Sequence, residues 1–452
     1  MNSMTALLQA DLSSQAQALA AGQATSLALT TAVLAEIGLR NPQLNAFLHI
    51  AREDALLAAA QSDARRAQGL QRGPLDGLTL AVKDNIDVAG LPTTAGMATR
   101  RGRVAAQDAF VVRQLRQAGM VLLGKLNMHE AALGATNANP HYGRCENPRR
   151  AGHTPGGSSG GSACAVAAGL CALALGTDTM GSVRVPAAYC GVVGFKGSYG
   201  RVSTGGTVAC CWALDHVGPL VRSARDLALV WPVMAVFDPA CPDARHHRVP
   251  AKDEQPVRYV AALDVAALGA TPAVQAAYAS ALQAMRDRGH DVTAIALASH
   301  DFGRARRAGL LMVEADLLVQ HADDWREQPQ NFSPELARFL RYGQAQSAAA
   351  LASAQRTVAA AHVEVARWWR HGHVMLLPTT PQQAFSFDDP VPATQADFTS
   401  VANMTGVPAL TLPLPMPRGE LPVGLQCIAP AGCDALLLGL ASDLAAPGEQ
   451  VA

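Results

Sequence analysis

The chain has 452 residues, 49% of them hydrophobic and 16% charged, so it can bury a sizeable core. Its 36 Lys and Arg balance 36 Asp and Glu, which leaves no net field to draw in nucleic acid or an anionic membrane. Nine cysteines show no metal-ligand spacing and sit mostly in apolar company, as at Cys164, Cys171, Cys190 and Cys427. They read as reduced, buried thiols of a cytoplasmic protein. No signal peptide or membrane-spanning run is visible, and no internal repeat.

Residues 1–50 read as helical. Leu29, Val33 and Ile37 recur at four-residue spacing behind a Thr25/Ser26 cap, and Asn41-Pro42 is expected to end that helix. Residues 51–70 read as a second, Ala-rich helix with a charged face. Leu78 to Val82 is a compact apolar run suited to a buried strand, with Lys83 at its carboxyl end. A helix over 108–118, stopped by Gly119, leads to a strand at Met120 to Leu123. Strand, helix and strand at this spacing form a βαβ unit and imply a parallel sheet.

Residues 124–148 form a loop-rich connection. His129, His141 and His153 fall at no zinc spacing, so they read as surface or pocket-wall side chains. Two Gly/Ser clusters follow, GGSSGGS at 156–162 and DTMGS at 178–182. The apolar run between them predicts a helix of two turns and a third buried strand, Leu170 to Leu175. Gly157 to Gly161 also fits G-x-S-x-G with Ser159 as nucleophile. That elbow must directly follow a buried strand, and the polar, Pro-broken ENPRRAGHTPG excludes it. Ligands collect outside the carboxyl ends of strands in open α/β sheets. Lys83 and Ser182 should therefore meet at one sheet edge.

Residues 238–370 become Ala/Arg-rich. PDARHHRVPAKDEQP reads as an exposed connector, and three helical patterns follow as candidate walls of a pocket. Beyond 370, VMLLPTTP, NMTGVPALTLPLP and LPVGLQCIAP supply strands, and an Ala/Leu helix runs to about 444.

GGSSGGSACAVAAG, GTDTMGSVRVPAAYCGVVGFK and SYGRVS, with the upstream AVKDNID, together resemble the amidase signature family of serine hydrolases. The resemblance covers roughly residues 20–235 and 370–444. It implies one large α/β domain over 1–452: a mixed, mostly parallel β-sheet with helices on both faces. The signature core would span about 74–230 and 370–444. It implies Ser182 as nucleophile, Ser158 as bridging serine and Lys83 as base. Thr179, Met180, Gly181 and Ser182 would offer backbone N–H groups as an oxyanion hole. Ser159 would assist the proton relay. Asp178 and Arg184 would support the nucleophile, with a pocket role for Arg184 the alternative. A lysine serves as base when burial holds it neutral, and a hydroxyl relays because it both donates and accepts. No metal and no cofactor are implied.

The implied reaction is hydrolysis of a small-molecule carboxylic amide to acid plus ammonia or amine through a seryl acyl-enzyme. No nucleic-acid or membrane partner is expected, and the oligomeric state, a homo-oligomer included, stays open. Two alternatives stand beside it. One is the amidase subunit of a tRNA-dependent glutaminyl amidotransferase, releasing ammonia from glutamine. That subunit usually has Gln after the arginine, where this chain has Val185. The other is a non-catalytic binding protein on the same fold. Met180 and Gly197 stand where the family commonly has Gly and Pro, and Cys210–Cys211 has no assigned role.

Overall fold

The apolar runs pair into a single eleven-stranded mixed sheet flanked by helices. In this computed structural model the described residues are 4–247, 256–297 and 300–444. The strands are β1 Phe47–Ile50, β2 Thr79–Lys83, β3 Val121–Leu126, β4 Leu173–Asp178, β5 Val193–Lys196, β6 His216–Val221, β7 Arg258–Ala262, β8 Asp291–Ile295, β9 Val374–Pro378, β10 Ala409–Pro413 and β11 Gly424–Ile428. Their order is β1-β3-β2-β4-β6-β5-β10-β11-β9-β7-β8.

Parallel pairing is confined to two triplets, β3-β2-β4 and β9-β7-β8, rather than running through most of the sheet. The reason is the connections. A parallel step needs a crossover: helix Phe110–Gln117 joins β2 to β3, and helix Pro272–Asp287 joins β7 to β8. The link from β10 to β11 holds no helix, and that pair is antiparallel, as are the other pairs at the sheet's centre. Strands β2, β3 and β4 are buried at every residue. Burial on both faces explains why they read as apolar runs rather than alternating patterns.

The amino-terminal reading needs two corrections. Helix Ser26–Leu44 starts at the expected cap, Thr25 accepting the Ala28 N–H, and buries Leu29, Val33 and Ile37. It does not stop at Asn41-Pro42. Pro42 is carried inside the last turn, and Asn45 closes the helix in the left-handed region at φ 49°. Beyond it, Phe47–Ile50 is an edge strand antiparallel to β3, not helix. Helix Arg52–Ala67 follows as expected.

Residues 238–370 are not purely helical. They contribute β7 and β8, which extend the sheet at its far edge, besides helices Phe302–Gln320, Pro334–Gln344 and Ala348–Trp368. The expected connector at 242–256 is docked where it is described: the Arg245 N–H donates to Gly200 O at 2.9 Å, and His247 Nε2 lies 2.7 Å from Tyr199 O. Its residues 248–255 lie outside the described ones. All nine cysteines are free, and among the described residues no helix is long and apolar enough to cross a membrane.

Candidate active site

Lys83 ends β2, and its ammonium nitrogen is fully buried. It donates to Ser158 Oγ at 2.8 Å and Thr177 Oγ1 at 2.7 Å, with Thr177 O at 3.5 Å. Burial pulls its pKa down to about 7, against the opposing charges of Cys210, Asp215 and Asp178. The other two described lysines are buried as well but differently held. Lys125 sits 3.4 Å from Asp84, and Lys196 donates to the Val407 and Gly197 carbonyls beside His216. Lys125 also donates to the Thr93 hydroxyl at 3.0 Å, but of the three only Lys83 is held by two hydroxyls with no carboxylate or imidazole beside it.

The first Gly/Ser cluster brings Ser158 to that lysine. Its Gly157–Ser158 peptide is cis, and helix Gly160–Ala167 begins just after it. The glycines permit close approach: a Cβ on Gly157 would meet Gly134 O at 2.8 Å, and one on Gly161 would collide with the Asn127 backbone. Ser158 O accepts the His129 N–H at 3.1 Å. As expected, no strand precedes this cluster. Ser159 is fully buried, and its hydroxyl both donates to Thr177 O (3.0 Å) and accepts the Thr177 N–H (3.3 Å). Those two bonds commit it to the β4 backbone, so it steadies the loop rather than relaying a proton as expected.

The second cluster turns at the end of β4. Ser182 is half-buried, and its carbonyl accepts the Ser159 N–H at 3.2 Å, which stitches the two loops together. Gly181 has φ +130°, and a Cβ there would collide with the Thr399 side chain, so only glycine fits. Met180 has no such backbone requirement, and is not among the residues at positive φ. Its carbonyl accepts the Thr399 hydroxyl at 2.7 Å, and its half-buried side chain packs between two apolar clusters. Helix Phe302–Gln320 passes close by: a Cβ on Gly309 would lie 3.5 Å from Met180 Sδ.

Asp178 shapes this turn, which alters the expected oxyanion set. Its Oδ1 accepts the Gly181 N–H at 2.7 Å and its Oδ2 the Val183 N–H at 3.1 Å. Gly181 therefore has its donor committed inward. The N–H groups of Thr179, Met180 and Ser182 have no acceptor among the described residues. Arg184 grips the same carboxylate with Nε and Nη2, at 3.0 and 2.9 Å. Its other donors go to Thr399 O (2.8 Å), Gln426 Oε1 (2.5 Å) and Asn403 Oδ1 (2.6 Å). Those five acceptors use every donor of the guanidinium, so no pocket role remains for Arg184. Burial alone would raise the Asp178 carboxyl, but Arg184 holds it well below the ordinary range.

The remaining sequence candidates stand apart from this centre. His141 Nε2 lies 2.8 Å from Glu130 Oε1, His129 Nε2 lies 3.8 Å from Glu335, and His153 Nδ1 contacts Ala151 O at 3.1 Å. Among the described residues no group of three or more His, Cys, Asp or Glu is arranged to hold a metal ion. Gly197 is explained by packing: a Cβ there would collide with the Trp231 ring, which meets Phe195 edge-on at 4.8 Å. Cys210 and Cys211 are buried and donate both backbone N–H groups to Asp215 Oδ2, at 2.7 and 3.1 Å. Sequence reasoning missed Thr177, Asn403 and Gln426. Thr177 lies within the motif beside Asp178, whereas the other two are more than 200 residues from the site and carry no local signal.

Comparison with known proteins agrees with this architecture. The family model described as Amidase matches residues 28–438. A curated relative, a glutamyl-tRNA(Gln) amidotransferase subunit from Chloroflexus aggregans, is 36% identical, covering 96% of each chain. A solved structure from a vestigial protein complex, described as revealing the evolutionary origins of an s-triazine catabolic enzyme, superposes with TM-score 0.88 at 33% identity, covering 96% of this chain and 98% of that one. The peptide amidase of Stenotrophomonas maltophilia superposes with TM-score 0.82 at 29% identity, covering 96% of each. The protein is thus a hydrolase of carbon–nitrogen bonds built on a mixed α/β sheet. It belongs to the amidase signature family.

Proposed function

We propose that the chain hydrolyses a carboxylic amide through an acyl-enzyme on Ser182. The observation that carries this reading is Lys83: fully buried, lowered to about 7, and bonded to Ser158 rather than to a carboxylate. At neutral pH much of it is the free amine, a base matched to its task. Ser182 attacks the amide carbon and passes its proton to Ser158, which gives its own to Lys83. The unclaimed N–H groups of Met180 and Ser182, with Thr179 beside them, receive the developing oxyanion. The proton returns through Ser158 to the leaving nitrogen, the C–N bond breaks, and water then hydrolyses the ester by the same route. A fluorophosphonate should label Ser182 and spare Ser159, and Lys83→Met should abolish labelling. Labelling at Ser159 would overturn the assignment.

The curated relatives are named as amidotransferase subunits, which supports glutamine as substrate and a partner-containing assembly. The solved relative from a vestigial complex likewise supports assembly with a partner. A small-molecule amide is the second reading, favoured by Val185. That residue is buried among Tyr189, Ala384 and Leu421, an apolar setting where the amidotransferase subunit usually has Gln. Offering the purified chain glutamine against a panel of simple amides separates the two. Nine unpaired cysteines support a reducing, cytoplasmic setting.

A further inference from the structure

Asp215 stands one residue before β6, whose neighbour β4 carries Thr177 and Asp178. Its carboxylate is buried, and no cation lies within ion-pairing distance of it among the described residues. Instead Oδ1 accepts the Thr179 hydroxyl at 2.5 Å, while Oδ2 accepts the Cys210 and Cys211 N–H groups. A buried, unpaired charge is costly unless hydrogen-bonded in this way. Thr179 opens the turn that carries Met180, Gly181 and Ser182, and its own N–H is uncommitted. Burial raises the Asp215 carboxyl to about 6, still below the Lys83 midpoint, and the titratable groups beside it include the cation Lys83 and the neutral Cys210, Cys211 and Tyr199. Asp178 has already spent its charge on Arg184. Asp215 has not.

We propose that Asp215 is a positioning residue for the amide-hydrolysing centre: by accepting the Thr179 hydroxyl and the Cys210 and Cys211 N–H groups it fixes the start of the oxyanion turn. The inference rests on Lys83 acting as the base. Asp215 acts on turn geometry through Thr179, and its negative charge also acts on Lys83, so the plateau and the midpoint are read separately.

The test measures the rate of fluorophosphonate labelling of Ser182 against pH, which needs no knowledge of the substrate. The wild-type rate should rise through a midpoint near the Lys83 value of about 7. Thr179→Val should lower the plateau about tenfold and leave the midpoint in place. Asp215→Asn should lower the plateau similarly, because Thr179 loses its carboxylate acceptor, and move the midpoint to lower pH, the direction set by removing one of the negative charges acting on Lys83. An Asp215→Asn plateau equal to wild type overturns the proposal. Should that variant fail to fold, Asp215→Glu keeps the charge and displaces the contact. It should retain the wild-type midpoint with a reduced plateau, and an unreduced plateau would overturn the proposal. Lys83→Met serves as the control. A midpoint that persists there refutes the base assignment itself, not the role of Asp215.

Discussion

Replacing Lys83 by methionine should change how stability depends on pH, with a size set by proton counting. The unfolded chain binds the lysine proton with a pKa of about 10.4, whereas burial lowers the folded value to about 7. Between those two values the unfolded chain holds a proton that the folded chain has released, so wild-type stability rises with pH. The slope is roughly 1.4 kcal/mol per pH unit. Below the folded value both states are protonated, and wild type carries the full burial penalty of roughly 5 kcal/mol. The methionine variant lacks this term. Its absolute stability also reflects two lost hydrogen bonds, to Ser158 and Thr177, worth about 1 kcal/mol each. The difference in slope, unlike the offset, depends on neither. Denaturant unfolding of both proteins at about pH 7.5, 8.5 and 9.5 should show wild type gaining roughly 2.7 kcal/mol on the variant over that window. Buried thiols such as Cys171 and Cys427, pushed up to about 12, work the other way. The unfolded chain loses their protons first, so stability falls with pH, but equally in both proteins. A flat difference between the two proteins would refute the picture of Lys83 as a base kept neutral by burial.

Lys83→Ala, Ser158→Ala and Ser182→Ala should each cut amide hydrolysis by about three orders of magnitude or more without additive losses in the double variants. A Ser182→Ala protein with wild-type turnover would remove the nucleophile. Arg184→Met should destabilise the fold by about 3–5 kcal/mol, because Asp178 is left charged in a fully buried site. Unfolding midpoints of the single variant and of the Asp178→Asn/Arg184→Met double variant measure it, and the double should lose less than the sum. Met180→Gly should keep the enzyme active but shift kcat/KM toward bulkier acyl groups by about 1–3 kcal/mol. Equal losses on a small and a bulky amide would instead place Met180 in the catalytic geometry.

Much of the site was legible because its chemistry is local. Lys83 follows an apolar run and Ser158 and Ser182 sit in glycine-rich turns, but it is the resemblance of these contiguous motifs to the family that singles the three out. The commitment of the Gly181 N–H was readable too. An Asp three residues before a Gly at a strand end is the pattern of a side chain capping its own turn, and reading it would have withdrawn Gly181 from the oxyanion set. What stayed hidden depends on distant partners. Asn403 and Gln426 complete the Arg184 cage from more than 200 residues away. Strands β7 and β8 lie in an Ala-rich stretch dominated by helical patterns, and β8 is largely exposed, so its apolar signal is weak. The four-residue β1 is an edge strand whose order comes from pairing with β3.

The burial of the lysines reaches beyond the reaction. Only four of the 36 basic residues are lysines, and Lys83, Lys125 and Lys196 are all enclosed; the fourth, Lys252, lies outside the described residues. Every described surface cation is then arginine or histidine. Arginine keeps its charge beyond pH 12 or so, so the exterior's positive charge hardly changes across the alkaline range where lysine-coated proteins shed theirs. Acylating and amine-directed reagents, which ordinarily scatter over many surface amines, find no exposed lysine among the described residues. In the proposed reaction, a reactive ester would then report on the half-buried Ser182 with little competition from the described lysines.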